Sequence, residues 1–152
     1  MAKVMSVEEM KKSVGQELGV SDWFEITQDR INQFADCTLD HQFIHVNEEL
    51  ARQGPFGTTI AHGYMNLALL SYFGAQTSLL PEGLKMAINY GLNKVRFLNP
   101  VKVNSRIRNR AVLKAVEDKG GGRVLVTTEN TVEIEGEQKP ALVAESLAMF
   151  FT

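Results

Sequence analysis

IAHGYMNLALLSYFGAQTSLL, the stretch from Ile60 to Leu80, decides the fold of this chain because it carries the strongest helix signal. Its residues are apolar around nearly the whole circumference of a helix, and such a helix is usually buried inside other structure. Pro81 cannot continue a helix, so we expect the helix to end there. The stretch therefore predicts one long central helix that the rest of the chain surrounds.

The second half of the chain predicts an antiparallel sheet around that helix. Four segments are rich in valine, isoleucine, threonine and aromatic residues: 86–97, 105–117, 123–135 and 141–151. Two of the connections are short and contain glycine, which indicates hairpins. The triple glycine at 120–122 opens no helix, so a hairpin turn is a better interpretation than a phosphate-binding loop. Helices followed by strands indicate an α+β domain.

The first half predicts short elements that precede the central helix. We expect an amphipathic N-terminal helix at 7–14, a strand at 23–26 and a helix from Thr27, as its N-cap, to about Cys37. Residues 38–46 have no clear period and are interpreted as a loop. Asn47 is the expected cap of a further short helix. The whole chain, 1–152, is predicted to form a single domain with a short N-terminal helical arm.

Composition and charge exclude several classes of function. Hydrophobic residues make up 44% of the 152 residues and the net charge is -2, which is typical of an ordered globular domain. No basic cluster with interleaved aromatic residues supports nucleic-acid binding. The longest apolar stretch, 64–73, is too short to span a bilayer, and the N-terminus does not read as a secretory signal. We therefore expect a cytoplasmic protein without a membrane partner.

The lone cysteine, Cys37, cannot form an internal disulfide and fits a reducing compartment. It stands near the end of a predicted helix. A buried structural thiol is the favoured interpretation, because cysteine is so often buried, and a nucleophile is the alternative.

The loop Asp40-His41-Gln42-Phe43-Ile44-His45 places a carboxylate and an imidazole five positions apart. A carboxylate can take a proton from water, and an imidazole can hold or donate one near neutral pH. Spacing alone favours the simpler interpretation, in which Asp40 makes a turn bond and His45 is an ordinary histidine. No metal site is predicted, because His41, His45 and His62 are the only histidines and lack ligand-like clustering.

The start of the central helix carries further polar candidates. Gly63 has no side chain to block a ligand from the first backbone N–H groups, although close packing would also explain it. His62 and Asn66 share one helix face, and Ser71 lies roughly on the side of Gly63. Hydrogen bonds from these buried side chains to the sheet are favoured over substrate contacts.

A third cluster stands in the first long strand. Asn89, Gly91 and Asn93 are expected to share one strand face. A glycine inside a strand often marks a bulge or the close approach of another backbone or a ligand.

Taken together, these segments resemble the MaoC-like hydratases, also called the (R)-specific enoyl-CoA hydratase group. The resemblance covers about 21–151 and rests on three ordered motifs: Asp40-x-x-x-x-His45, Ile60-Ala61-His62-Gly63 and Phe97-x-x-Pro100-Val101. The strings DHQFIHVN, GPFGTTIAHGYM and NYGLNKVRF are similar to the nodulation-protein-N-like branch. The resemblance implies a hot-dog fold, in which a curved antiparallel sheet wraps a long central helix. It also implies a homodimer, a coenzyme A thioester substrate and no cofactor.

The same resemblance implies roles for individual residues. Asp40 and His45 match the catalytic pair, and Gly63 matches the glycine whose N–H faces the thioester oxygen. Ser71 matches a serine that some members carry near the catalytic histidine. This chain has Gln42-Phe43 where the commoner form has Asn-Pro, which alters the loop between the pair.

The further candidates for substrate contact are Gln42, His62, Asn89, Tyr90 and Gly91. The acyl chain is expected along Phe43, Phe56, Met65 and Tyr90.

The implied reaction is reversible hydration of a trans-2-enoyl-CoA to a (3R)-3-hydroxyacyl-CoA. Asp40 would take a proton from the water, and His45 would orient it. Two alternatives stay open. A hot-dog thioesterase would direct water at the thioester carbonyl, and it would release free thiol without a change in enoyl absorbance. A non-catalytic acyl-CoA-binding module would bind the thioester without turnover.

Overall fold

A six-stranded antiparallel sheet dominates the computed structural model, which describes residues 2–152. Helices and strands alternate irregularly in the first half, and four long strands fill the second. The elements are β1 (Lys3–Met5), α1 (Val7–Lys12), β2 (Glu17–Val20), β3 (Phe24–Glu25), α2 (Gln28–Thr38), α3 (Phe43–Val46), α4 (Glu48–Gln53), α5 (Gly63–Ala68), α6 (Leu70–Thr77), β4 (Leu79–Pro81), β5 (Met86–Phe97), β6 (Arg106–Gly120), β7 (Arg123–Ile134) and β8 (Leu142–Phe151).

The sheet has the strand order β2-β6-β7-β8-β5, and β3 also pairs with β6. All of these pairings are antiparallel. The predicted hairpins β6–β7 and β7–β8 are therefore confirmed. Gly120, Gly121 and Gly122 all have positive φ in the first turn. A Cβ on Gly122 would also lie 2.7 Å from the carbonyl oxygen of Thr152, so the turn needs glycine there.

The central helix is shorter than predicted and consists of two parts. Leu69, at φ -65° and ψ -12°, joins α5 to α6, and Ser78 then turns the chain to an extended conformation. Residues 79–81 form the strand β4, which pairs in parallel with β1. The prediction of helix up to Leu80 was wrong because the strand that pairs with these residues, β1, lies more than seventy positions earlier in the sequence. Leu79 is buried in the core as a strand residue.

Two groups of apolar side chains form the core between the helices and one face of the sheet. The first joins Met65 and Phe73 to the sheet residues Ile107, Val132 and Leu142. The second lies under α1 and includes Met10, Leu113, Val124 and Phe150. The central helix is not buried all round, because Tyr64 and Tyr72 are exposed. The apolar residues of the central helix therefore lie partly in the core and partly on the surface of the chain.

The caps that the sequence predicts are present. The side chain of Thr27 accepts from the N–H of Arg30 and begins α2, and Asn47 accepts from Leu50 and begins α4. Residues 43–46 form a helical turn rather than the predicted loop. Cys37 is exposed, so the expectation of a buried thiol was wrong. The residue lies about 200° around α2 from the buried Ala35, which turns it away from the core.

None of the helices within residues 2–152 is long and apolar enough to cross a membrane.

Candidate active site

Asp40, His45 and His62 come together at one end of the central helix. The titratable side-chain atoms of these three residues lie within 4.8 Å of one another. Asp40 follows Leu39, the left-handed C-cap of α2, while His45 lies in α3 and His62 is the N-cap of α5. Three separate elements thus deliver one carboxylate and two imidazoles to the same place.

His45 is fixed as a neutral imidazole with one nitrogen open to the site. Its side chain is 6% exposed, and its Nδ1 lies 2.7 Å from the carbonyl oxygen of Ile60. Since a carbonyl only accepts, Nδ1 carries the proton and Nε2 keeps its lone pair. Burial lowers the pKa of His45 below its ordinary value, and this outweighs the hydrogen bond to Ile60, which raises it. The residue is therefore an acceptor at neutral pH.

Asp40 is half exposed and is oriented through its own backbone. One carboxylate oxygen accepts from the N–H of Gln42 at 3.3 Å, which forms a local turn. The carbonyl oxygen of Asp40 accepts from Nε2 of His62 at 3.0 Å. The other carboxylate oxygen lies 4.0 Å from the same Nε2. The turn bond that the sequence favoured is present, and the carboxylate still faces the histidine pair.

His62 connects the other two side chains. It is 3% exposed and its ring stacks on that of His45, with centroids 3.8 Å apart and planes at 22°. The ring of Phe34 packs against it at 4.9 Å. Nδ1 of His62 is buried without a hydrogen-bond partner among residues 2–152. The in-plane lone pairs of the two stacked imidazoles lie in nearly parallel planes, an arrangement that does not favour a metal ion shared by both rings.

A hydrogen-bonded scaffold that the sequence did not reveal holds His45 in place. Gln28, at the start of α2, donates to the carbonyl oxygen of His45 at 2.7 Å and accepts from the hydroxyl of Thr59 at 2.5 Å. The N–H of Ile60 donates to Ile44, and the N–H of Ala61 donates to Val101. Residues 59–61, which precede the central helix, are thus hydrogen-bonded to α2, to α3 and to Val101.

Gly63 begins α5 as its first residue. The N-cap, His62, makes no side-chain cap hydrogen bond to the first N–H groups of the helix. A Cβ on Gly63 would lie 3.1 Å from the ring of Phe97, so close packing favours a glycine and a larger residue would need that ring to shift. The packing explanation and the ligand explanation are therefore compatible, since the aromatic ring crowds the position of a side chain and not that of the N–H.

A cavity of about 880 Å³ lies between the central helix and the inner face of the sheet. Four of the candidate substrate residues line it: Ser71, Asn89, Tyr90 and Gly91. Asp40, Gln42, His45, His62 and Gly63 do not, and the lining residue next to them in sequence is Tyr64. Of the residues expected along the acyl chain, Tyr90 lines the cavity, whereas Phe43, Phe56 and Met65 do not.

The predicted bulge at Gly91 is present, since the register of β5 against β8 shifts between Asn89 and Gly91. Its consequence for the faces was not predicted. Asn89 lies opposite Ala148 and Gly91 opposite Leu147, which are neighbours on β8 and face opposite sides of the sheet. Asn89 and Gly91 therefore do not share one face.

Comparisons with known proteins place the chain among related sequences and folds. The family model described as MaoC like domain matches residues 9–135. The chain is 54% identical to a 3-hydroxyacyl-thioester dehydratase Z from Mycobacterium tuberculosis, over 95% of each chain. It is 46% identical to nodulation protein N from Rhizobium leguminosarum bv. viciae, over 92% of this chain and 88% of the other.

Among solved structures, the chain is similar to an (R)-hydratase from A. caviae involved in PHA biosynthesis. The TM-score is 0.72 at 20% identity, over 89% of this chain and 94% of the other. The predicted α+β hot-dog fold is confirmed.

Proposed function

Since the chain belongs to the MaoC-like dehydratase family, we propose that it adds water reversibly to a trans-2-enoyl-CoA and gives a (3R)-3-hydroxyacyl-CoA. The protein is a hydratase or dehydratase, and so a hydro-lyase. The enoyl-CoA substrate and the (R) product are our proposal. The names of two similar proteins support it. The relative at 54% identity is a 3-hydroxyacyl-thioester dehydratase, and the structurally similar protein is an (R)-hydratase.

The observation that carries the proposal is the open Nε2 of a neutral His45 beside the carboxylate of Asp40. Both groups accept hydrogen bonds, and a water molecule has two protons to donate. A water held between them presents its oxygen lone pair to the β-carbon, C3, of an enoyl thioester. The half-exposed carboxylate leaves room for that water and for a substrate.

The proton balance of the reaction requires no other group. Asp40 takes one proton from the water. At the same time the oxygen of the water bonds to C3, and the electrons of the double bond move toward the thioester. The protonated Asp40 then returns a proton to C2, and the carboxylate is restored. His45 accepts the second hydrogen bond and orients the water throughout. General acid–base catalysis by one such group typically contributes about a hundredfold or more.

We assign Gly63 to the thioester oxygen, which gains negative charge as C3 is attacked. Its N–H lies at a helix start with no side-chain cap, next to His62 of the catalytic cluster. One such donor is typically worth about 3 kcal/mol of barrier. The acyl chain then enters the cavity that the neighbouring Tyr64 lines. We further propose a cytoplasmic reaction with no cofactor, as coenzyme A belongs to the substrate.

The edge strand β5 supports the proposal of a homodimer. It pairs only with β8, so its other edge has no partner strand within residues 2–152. Large apolar side chains are exposed along it: Met86, Ile88, Tyr90, Leu92 and Phe97. Tyr64 of the central helix packs on Phe97 beside them. Several exposed large apolar side chains along one unpaired edge strand are typical of a protein interface.

Light scattering after size exclusion tests the dimer. We expect twice the chain mass of 16.9 kDa for the wild type and the single mass for Ile88→Glu, whose side chain does not line the cavity. Val14→Glu changes an apolar residue of similar exposure outside β5 and should remain a dimer. A wild type that is monomeric at micromolar concentration would contradict the proposal.

The experiment that tests the reaction compares two signals from the same enoyl-CoA. Hydration removes the conjugated enoyl absorbance and leaves the thioester intact. A thioesterase releases free thiol and leaves the enoyl group unchanged. We expect loss of absorbance without thiol release, and chiral analysis of the product should give the (3R) isomer. Thiol release alone would support the thioesterase, and tight binding without either signal would support a binding module.

A further inference from the structure

The floor of the acyl cavity carries a band of polar side chains at mid-length. Residues of β7 and β8 that face the helix are apolar at both ends of the sheet, from Val124 and Phe150 to Val132 and Leu142. Between these ends six residues face inward, of which Val126, Ala144 and Ala148 are apolar and Thr128, Asn130 and Ser146 are polar. We call these three polar residues the polar band. A cavity for a purely hydrocarbon chain has no need of them.

Part of the polar band is structural. Asn130 is buried and has all of its hydrogen-bonding groups engaged. Its Oδ1 accepts from Asn109 at 2.8 Å, and its Nδ2 donates to the hydroxyl of Ser146 at 2.8 Å. These bonds tie β6, β7 and β8 together across the sheet. Asn130 therefore orients Ser146 and is not itself available to a ligand.

The two hydroxyl groups of the polar band keep unused capacity. Ser146 accepts the bond from Asn130, so its own proton remains free to donate. The hydroxyl of Thr128 has no hydrogen-bond partner among residues 2–152, and it lines the same cavity. An alkyl chain that covered these groups would remove their water and give nothing in return, which carries a free-energy cost.

The distance of the polar band from the reacting end follows from the strand register. Phe97 contacts Gly63 and pairs with Leu142 on β8. Ser146 lies four residues further along β8, which is about 13 Å at the usual strand rise. A ten-carbon acyl chain with a terminal hydroxyl spans about 12 Å when it is extended, given C–C bonds near 1.5 Å.

We propose that the substrate is an acyl thioester whose chain bears an oxygen substituent, a hydroxyl or a carbonyl, about 13 Å from the thioester. Ser146 donates to that oxygen, and Thr128 donates to it or accepts from its hydroxyl. The inference rests on the proposed hydration and adds a specificity for oxygenated chains over plain hydrocarbon chains. The two hydroxyl groups that a plain chain leaves unpaired are together expected to cost about tenfold in kcat/KM, or about threefold each.

The test compares trans-2-decenoyl-CoA with its terminally hydroxylated analogue. The wild type is expected to prefer the hydroxylated chain by about tenfold or more in kcat/KM. In Ser146→Ala and Thr128→Val the preference should fall to about threefold or less, and in the double variant it should vanish. The ratio of the two substrates cancels any general effect of a substitution on the catalytic groups.

Thr131→Val is the matched control, since Thr131 lies on the same strand and pairs with Val143 on the opposite face of the sheet. It should keep the wild-type ratio. Hydration of both chains by the wild type without a preference would overturn the inference and leave the proposed reaction standing. So would a preference that survives in the double variant. A folded wild type that hydrates no enoyl-CoA would overturn both.

Discussion

Replacing His62 by phenylalanine should lower activity while it leaves stability nearly unchanged. The substitution keeps an aromatic ring between His45 and Phe34, whose centroids lie 3.8 and 4.9 Å from that of His62. It removes the hydrogen bond from Nε2 to the carbonyl oxygen of Asp40. It also removes the buried Nδ1, which has no partner among residues 2–152.

The two losses act in opposite directions on the free energy of unfolding. The hydrogen bond contributes about 1 kcal/mol, and the carbonyl that it leaves belongs to the half-exposed Asp40, where water can replace it. A buried acceptor without a partner costs about 1–3 kcal/mol, which the phenylalanine no longer bears. We therefore expect His62→Phe to be as stable as the wild type, or more stable by up to about 2 kcal/mol.

Activity should fall because His62 holds the backbone of Asp40, whose carboxylate we propose to be catalytic. A misplacement of about 1 Å can cost a hundredfold in rate, so we expect kcat/KM to drop about ten- to a hundredfold. The pH profile should move as well. Burial is the main reason that the pKa of His45 is low, and the neighbouring His62 lowers it further. Without His62 the acidic limb of the profile should shift to higher pH.

Urea unfolding and initial rates of hydration between pH 5 and 8 measure these effects. Phe34→Leu is the control, because Phe34 packs on His62 without a hydrogen bond to Asp40. Its activity should stay within about threefold of the wild type. Activity of His62→Phe within threefold and an unmoved pH profile would refute the reasoning. A parallel loss of stability and activity would show a purely structural role.

Two other predictions concern the surroundings of His45. Its lowered pKa means that the folded state binds a proton less readily than the unfolded chain, so stability should fall as pH drops below about 6.5 and stay level above it. Urea unfolding from pH 5 to 8 checks this, and a slope that persists unchanged in His45→Gln would contradict it. Gln28→Leu leaves the carbonyl of His45 and the hydroxyl of Thr59 without a partner, and it should cost about 2–4 kcal/mol of unfolding free energy. Gln33→Leu, on the exposed side of the same helix, should cost much less, and equal losses would contradict this account.

Local signals accounted for the parts of the fold that the sequence predicted correctly. Thr27 and Asn47 cap helices through side chains three residues from their partners, and the glycine turns join adjacent strands. The end of the central helix could not be found in this way. Residues 79–81 form a strand because they pair with β1, more than seventy positions earlier. Cys37 was misplaced because residue type was weighed above its position relative to Ala35 on α2.

The sequence predicted which residues belong to the candidate site, but it did not predict the contacts that hold them in place. Spacing left Asp40 and His45 open to an ordinary explanation, and the family resemblance selected them. The stacking of His62 on His45 and the support from Gln28 depend on contacts across seventeen positions, for which the sequence has no local signal. The bulge at Gly91 could be predicted from the sequence. That it places Asn89 and Gly91 on opposite faces of the sheet could be seen only from the pairing of β5 with β8.

The most direct test of the central claim is the rate of crotonyl-CoA hydration by the wild type, Asp40→Asn and His45→Gln, followed by the loss of enoyl absorbance. Each variant removes one acceptor for the water and keeps a side chain of similar size. We predict activity in the wild type and a loss of about a thousandfold or more in both variants, with circular dichroism and thermal unfolding showing that they fold. A folded variant that keeps a tenth or more of the wild-type rate would contradict the assignment of this pair to catalysis.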